Sequence, residues 1–287
     1  MINYLLSLFL FNFAKEVFFL VDKTKPIGIF DSGVGGLTVV RALMEEMPSE
    51  SFIYFGDTAH LPYGDKTREE LFSYAYRILD FMQKNEVKAV IVACGTHSAV
   101  TLPRLEKEYP FPILGVVKAG ARAAAKISIK GKIGVIATQA TVNSLAYTRN
   151  IKEIDYRLEV YEKACPLFVP LIEGGYLEGE EIRRVAAEYI TPLLKKDIDT
   201  LILGCTHYPF LSGVIKDLVG DDVILVDPAW ETVAEVKGIL QAKNLIQDKL
   251  ASPWHQFYVS GDNCSFFKVG RRLIGEVIDK VERINLA

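Results

Sequence analysis

Two short runs of the chain end alike. VIVACGTHSAV (90–100) and LILGCTHYPF (201–210) each close an apolar, strand-like stretch with a cysteine, and a threonine and a histidine follow within three residues. The chain has only four cysteines, so the repeat invites a chemical reading, and three readings fit. Cys94 and Cys205 can be small buried hydrophobes, a common fate of the residue. With His97 and His207 they can form a Cys₂His₂ metal set, although Cys-x-x-His and Cys-x-His are poor spacings for structural zinc. Or they can act on a carbon acid. Inverting a stereocentre by proton transfer needs a base on one face and an acid on the other. Two thiols with pKa values of about 8.5 supply both roles near neutral pH. Asp31, His207 and Glu173, in PLFVPLIEGG, are candidates to tune and relay those protons. Cys165 and Cys264 have no such setting and read as packed or turn cysteines.

FDSGVGGLTVV (30–40) is a second candidate feature. A strand runs into Asp31, Ser32 and a glycine-rich turn, then a helix. Backbone N–H groups at such a helix start favour an anion. The spacing is GxGG rather than GxGxxG, so a nucleotide reading is weak. A carboxylate at a strand's carboxyl end is, however, where catalytic groups of α/β proteins sit. In FGDTAHLPYGDKTREE (55–70), Asp57, Tyr63 and Gly64 read as turn chemistry.

The elements that must position these residues alternate regularly from Lys25 onward. Continuously apolar strands are expected near 26–30, 51–56, 87–94, 112–116, 132–138, 156–162, 199–205, 223–227 and 256–261. Between them lie helices near 37–47, 68–85, 98–108, 118–127, 140–150, 180–195, 208–219, 229–242 and 264–283. Such alternation implies α/β architecture, with mainly parallel sheets flanked by helices. The echo of strand, cysteine, threonine and histidine implies two similar lobes, each presenting one unit at the carboxyl end of a strand, where ligands bind in open α/β sheets.

Composition sets the outer limits. Half of the 287 residues are hydrophobic and 24% are charged, enough for a full core. A net charge of −3 gives no electrostatic case for nucleic acid. Four cysteines without a CxxC pair suit a reducing, cytoplasmic setting with free thiols. Residues 1–24 are apolar but interrupted by Asn12, Lys15 and Glu16. They lack the marks of a signal peptide or a span, so they read as an extension ahead of the fold with no membrane partner.

Taken together, FDSGVGGLTV, GDTAHLPYG, ACGTHS, CPLFVPLIE, GCTHYPFL and SGDNCSFF, in this order over about residues 26–280, resemble the glutamate racemases of the aspartate/glutamate racemase superfamily. The resemblance implies interconversion of L- and D-glutamate without pyridoxal phosphate or metal, with D-glutamate feeding peptidoglycan synthesis. It implies that Cys94 and Cys205 are the two acid/bases. Asp31 would stand beside the first, and Glu173 and His207 beside the second. Ser32, Pro62, Tyr63, Gly64, Gly95, Thr96, Thr141 and Thr206 match substrate-holding positions. It further implies a first lobe of 25–117 completed by 229–287, a second lobe of 118–228, and the active site in the cleft between the lobes. A homodimer is left open. Three departures stand out: Gly95 and His97 where the family usually has Asn and Ala, His60 in place of Arg, and Ala140 in place of Gly. The first removes a side chain that normally contacts substrate, and His97 is a candidate to compensate. Two alternatives remain: a racemase of another acidic amino acid such as aspartate, and a non-catalytic zinc or small-ligand binding protein using the Cys/His set.

Overall fold

The computed structural model describes residues 22–247 and 252–286. The apolar extension therefore lies outside the described residues, apart from Asp22, Lys23 and Thr24. From there the chain forms β1 (Ile27–Asp31), α1 (Leu37–Glu46), β2 (Phe52–Gly56), α2 (Arg68–Lys84), β3 (Ala89–Val92), α3 (Gly95–Val100), α4 (Leu102–Leu105), β4 (Ile113–Gly115) and α5 (Val116–Ile127). It continues through β5 (Lys132–Ala137), α6 (Gln139–Ser144), α7 (Ala146–Ile154), β6 (Glu159–Ala164), α8 (Phe168–Glu173), α9 (Glu180–Leu194), β7 (Thr200–Leu203), α10 (Ser212–Val219) and β8 (Ile224–Val226). α11 (Pro228–Ala242), β9 (His255–Val259), α12 (Asn263–Ile274) and β10 (Glu282–Arg283) complete it.

The strands form two sheets, ordered β10-β9-β2-β1-β3-β4 and β6-β5-β7-β8. Every pairing is parallel, as the α/β reading anticipates. Four strands of the first sheet, β2-β1-β3-β4, repeat the order of the second. β1 thus corresponds to β5, and β3 to β7. Parallel strands need both faces covered, and the burial follows that rule. In the first sheet, Ile27, Ile29 and Ile91 pack on α1 and α11, while Phe30, Val90 and Val92 face α2. In the second, Leu201 and Leu203 meet α9 and α10, while Ile133, Val135 and Ile202 meet α5 and α7. Each such fully buried aliphatic side chain contributes about 1.5–3 kcal/mol.

The chain passes between the sheets twice, at Gly115–Val116 and at Asp227–Pro228. After β4, helix α5 covers the second sheet. After β8, helix α11 returns to cover the first, and the two helices pack against each other. Among the described residues, no helix is long and apolar enough to cross a membrane.

Four local departures from the pattern have physical reasons. The last helix ends at Ile274 rather than 283, because Gly275 adopts φ 75, a left-handed geometry suited to glycine that stops a helix. The residues beyond it add the edge strand β10 to the first sheet. The stretch expected as a helix over 208–219 opens as a 3₁₀ turn at Tyr208–Leu211 around Pro209, and α10 follows. The helix placed near 98–108 begins at Gly95, directly after Cys94, and is divided at Thr101. Helix α8 was not anticipated; it is too short for a periodic signal.

At the amino ends of the first sheet, Lys88 and Glu50 form a fully buried ion pair. The Lys88 ammonium also donates to the carbonyl oxygens of Lys23 (2.7 Å) and Leu245 (3.0 Å). The other Glu50 oxygen accepts from the Gln247 backbone N–H at 2.9 Å. The pair thus pins the chain entering β1 and the segment after α11 to one sheet. Lys88→Ala leaves the Glu50 carboxylate buried without its cation and should destabilise the fold by about 3–5 kcal/mol. In urea unfolding, the paired substitution Lys88→Met with Glu50→Leu should recover most of that loss.

Candidate active site

The carboxyl ends of both sheets face one another across a cleft. Cys94 follows β3 in the first lobe, and Cys205 follows β7 in the second. Both line a single narrow cavity of about 100 Å³. Both are buried and free, as is Cys165. The sequence residues Ser32, Pro62, Tyr63 and Gly64 form one wall. Gly95, Thr96, Thr206 and His207 complete the lining around the two sulfurs.

Three of the anticipated residues stand just behind that lining. Asp31 is fully buried at the end of β1. Its Oδ2 accepts from the backbone N–H groups of Gly33 and Gly36, each at 3.0 Å, and its Oδ1 accepts from the Thr206 hydroxyl of the opposite lobe at 3.2 Å. Glu173, at the end of α8, lies behind His207 and faces a separate groove beside Lys268 and Arg272. Its Oε1 is 2.7 Å from His207 Nε2, and His207 Nδ1 is 3.8 Å from Cys205 Sγ. Thr141 is buried behind Thr138.

Electrostatics differ between the two sulfurs. Burial, with the Asp31 charge added to it, pushes the Cys94 thiol well above its ordinary value. The N–H groups of His97 and Thr96, at the start of α3, act the other way and would receive the thiolate when it forms. Burial also raises Asp31, against the His207 charge and the bonds from Gly33, Gly36 and Thr206. For His207, burial alone would lower the imidazole, but the bonds to Cys205 and Glu173 outweigh it and raise it to about 10. His207 therefore holds its ring proton more firmly than a free histidine, directly beside Cys205.

Several residues of the site had gone unnoticed. The Thr138 hydroxyl lies 3.0 Å from the hydroxyls of both Thr96 and Thr141 and accepts from the Thr141 N–H at 3.3 Å. It joins the lobes, and it lines the cavity with Gln139. The correspondence of β5 with β1 would have found it, since Thr138 follows the last residue of β5 as Ser32, another residue of the lining, follows the last residue of β1. Cys165, read as an ordinary packed cysteine, forms part of the cavity wall with Pro166. Its sulfur points to the Lys163 carbonyl oxygen at 3.6 Å, and burial pushes the thiol up.

Two expectations need correction. His97 does not line the cavity; it is fully buried and bonded to Thr101 in the first lobe. It therefore does not replace the side chain missing at Gly95. It also stands apart from the Cys₂His₂ metal alternative, and no group of three or more His, Cys, Asp or Glu among the described residues could hold a metal ion. Gly95 has its own reason. A Cβ there would sit 2.4 Å from the Gly204 carbonyl oxygen, because the two lobes meet backbone to backbone at this point. Gly35 is equally confined, its missing Cβ being 2.5 Å from His207 Nδ1.

Residues 37–236 match the family model described as Asp/Glu/Hydantoin racemase. A glutamate racemase of Thermoanaerobacter sp. (strain X514) is 47% identical over 262 residues, covering 91% of this chain and 98% of that one. The crystal structure of glutamate racemase isoform RacE1 from Bacillus anthracis superposes with a TM-score of 0.89 at 40% identity, over 92% of this chain and 98% of that one. The Francisella tularensis glutamate racemase, solved in complex with D-glutamate, gives 0.86 at 37% identity over 92% and 98%. By sequence, fold and the arrangement of its cleft, the chain belongs to the Asp/Glu/Hydantoin racemase family.

Proposed function

We propose that the chain interconverts L- and D-glutamate by a two-cysteine acid/base mechanism, and that the D-glutamate is used in cytoplasmic peptidoglycan synthesis. One observation carries the mechanism: Cys94 and Cys205 each follow, by two residues, corresponding strands of the two sheets, and both line one cavity. One thiolate removes the α-proton from one face of the substrate. The other thiol delivers a proton to the opposite face, and reversing the reaction exchanges the roles. In this reading Asp31, whose charge acts on Cys94, and His207, 3.8 Å from the Cys205 sulfur, exchange protons with the first and second sulfur in turn. No lysine or arginine is among the described residues lining the cavity. The charge that builds up on the substrate carboxylate is then met by fixed hydroxyls of Ser32, Thr96, Thr138 and Thr206, the type of preorganised donor that favours a charged transition state. The substrate carried by the Francisella relative supports glutamate as the amino acid.

Cys94→Ser and Cys205→Ser each replace a thiol with a far weaker base, so racemisation should fall by orders of magnitude in both. Each variant keeps one thiol and should still exchange the α-proton of one enantiomer with D₂O, followed by proton NMR. Cys94→Ser should retain exchange with L-glutamate, and Cys205→Ser with D-glutamate. Near wild-type racemisation by either variant would sink the two-base mechanism.

Glu173 is one of the two partners that raise His207. Glu173→Gln removes that charge and lowers His207, so the imidazolium is lost at a lower pH. The alkaline limb of the kcat profile should move down by about one pH unit. An unmoved limb would take His207 out of the proton path.

Gly95→Ala places a methyl group against the Gly204 carbonyl oxygen. Racemisation should drop at least about tenfold, the cost expected when reacting groups are displaced by a fraction of an ångström. Gly95→Asn, although it installs the usual family residue, should fare no better. Wild-type kcat/KM in Gly95→Asn would mean that the lobes do not need this contact.

A further inference from the structure

His97 belongs to the first Cys-Thr-His unit, yet the proton transfer has no use for it. Its Nδ1 is 3.1 Å from the Thr101 hydroxyl, which already donates to the His97 carbonyl oxygen at 3.0 Å. That hydroxyl can therefore only accept from the ring, which places the proton on Nδ1. Nε2 is left buried with a lone pair and no hydrogen-bond partner among the described residues, an arrangement that normally costs stability. Burial holds the imidazole down at about 3, so the ring stays neutral and gives back nothing as an ion.

What the ring touches accounts for its place. It stands at 83° to Tyr63 with the ring centroids 4.6 Å apart, and at 66° to Phe30 at 5.5 Å. Tyr63 is held on its other sides as well. Its hydroxyl donates to Asp57, and its ring stacks on Tyr74 at 5.9 Å. Asp57 is itself fixed by His60 at 2.8 Å and Ser260 at 2.7 Å. Asp57 and Tyr74 thus anchor Tyr63 to the first lobe, while His97 ties it to α3, the helix that begins beside Cys94. Pro62, Tyr63 and Gly64 line the cavity together with that sulfur, and Tyr63 packs in one cluster with Cys94.

We propose that His97 is a positioning residue. Packed between Phe30 and Tyr63, its ring sets the spacing between α3 and the Pro62–Gly64 wall, and with it the width of the substrate cavity. This rests on the racemase reading above and concerns substrate fit, not proton transfer. The test is steady-state racemisation in both directions by the full chain, with folding checked by circular dichroism. His97→Ala should raise KM for both enantiomers about tenfold, with kcat within about threefold and its pH profile unmoved. His97→Phe, which refills the space without the nitrogens, should restore most of the KM. Added to Tyr63→Ala, His97→Ala should cost little more, since the two act through one contact. An unchanged KM in folded His97→Ala overturns the proposal, as does a collapse of kcat with a shifted pH profile. Should His97→Ala not fold, His97→Phe decides: near wild-type KM supports the packing role, and a large rise overturns it. A wild-type chain that does not racemise glutamate would instead overturn the functional reading, before any variant is compared.

Discussion

Two lobes can share one small site only if their backbones come close enough for side chains at the two strand ends to reach the same point. Here that approach is made by residues without side chains. Gly95 lies against the Gly204 carbonyl oxygen, and Gly35 against His207. Each glycine adjoins a working part: Gly95 follows Cys94, Gly204 precedes Cys205, and Gly35 belongs to the turn that Asp31 caps. The hydroxyl links from Thr206 to Asp31 and from Thr96 to Thr138 then span the same gap in opposite senses. Each lobe completes a hydrogen-bond group that the other lobe began.

The near-repeat of the lobes explains why the chain offers a thiol twice, and the places where the repeat fails explain how the two thiols differ. Cys94 and Cys205 lie two residues beyond corresponding strands. The histidines diverge by one position. His207 is two residues after its cysteine, in a turn, and reaches both the sulfur and Glu173. His97 is three residues after its cysteine, on α3, and turns inward to Thr101 and Tyr63. The strand ends diverge as well: Asp31 closes β1 with a carboxylate, and Ala137 closes β5 with a methyl group. In the proposed mechanism one thiol is thus served by a buried carboxyl group and the other by an imidazole, so a reaction nearly symmetric in its substrate would be run by unlike proton carriers.

Much of this was legible in the sequence, because parallel strands buried on both faces advertise themselves as continuous apolar runs. The strands carrying Asp31, Cys94 and Cys205 were placed by that signal, and the glycine-rich turn after Asp31 by its composition. What the sequence could not show depends on three-dimensional approach. Spacing from the cysteine is the one local difference between His97 and His207, and it does not say which way a ring turns. With α3 beginning at Gly95, one ring goes into the core, and from the turn before Tyr208 the other reaches the sulfur. Thr138 and Cys165 carry no signal of their own and enter the wall only because β5 and β6 end at the same height as β7. Gly95 looks like the loss of a useful side chain until the Gly204 oxygen is seen behind it.

The exchange of α5 and α11 between the sheets bears on the order in which the molecule is made. The second sheet and the helices on its faces come from one unbroken stretch, α5 to β8, so its core can close as soon as that stretch has left the ribosome. The first sheet cannot. It lacks α11, β9 and β10 until the last residues are synthesised, and its early strands wait with one face uncovered and β2 as an open edge. The lobe that is written first is thus finished last, and the Lys88–Glu50 pair gains its bonds to Leu245 and Gln247 only after most of the chain is made.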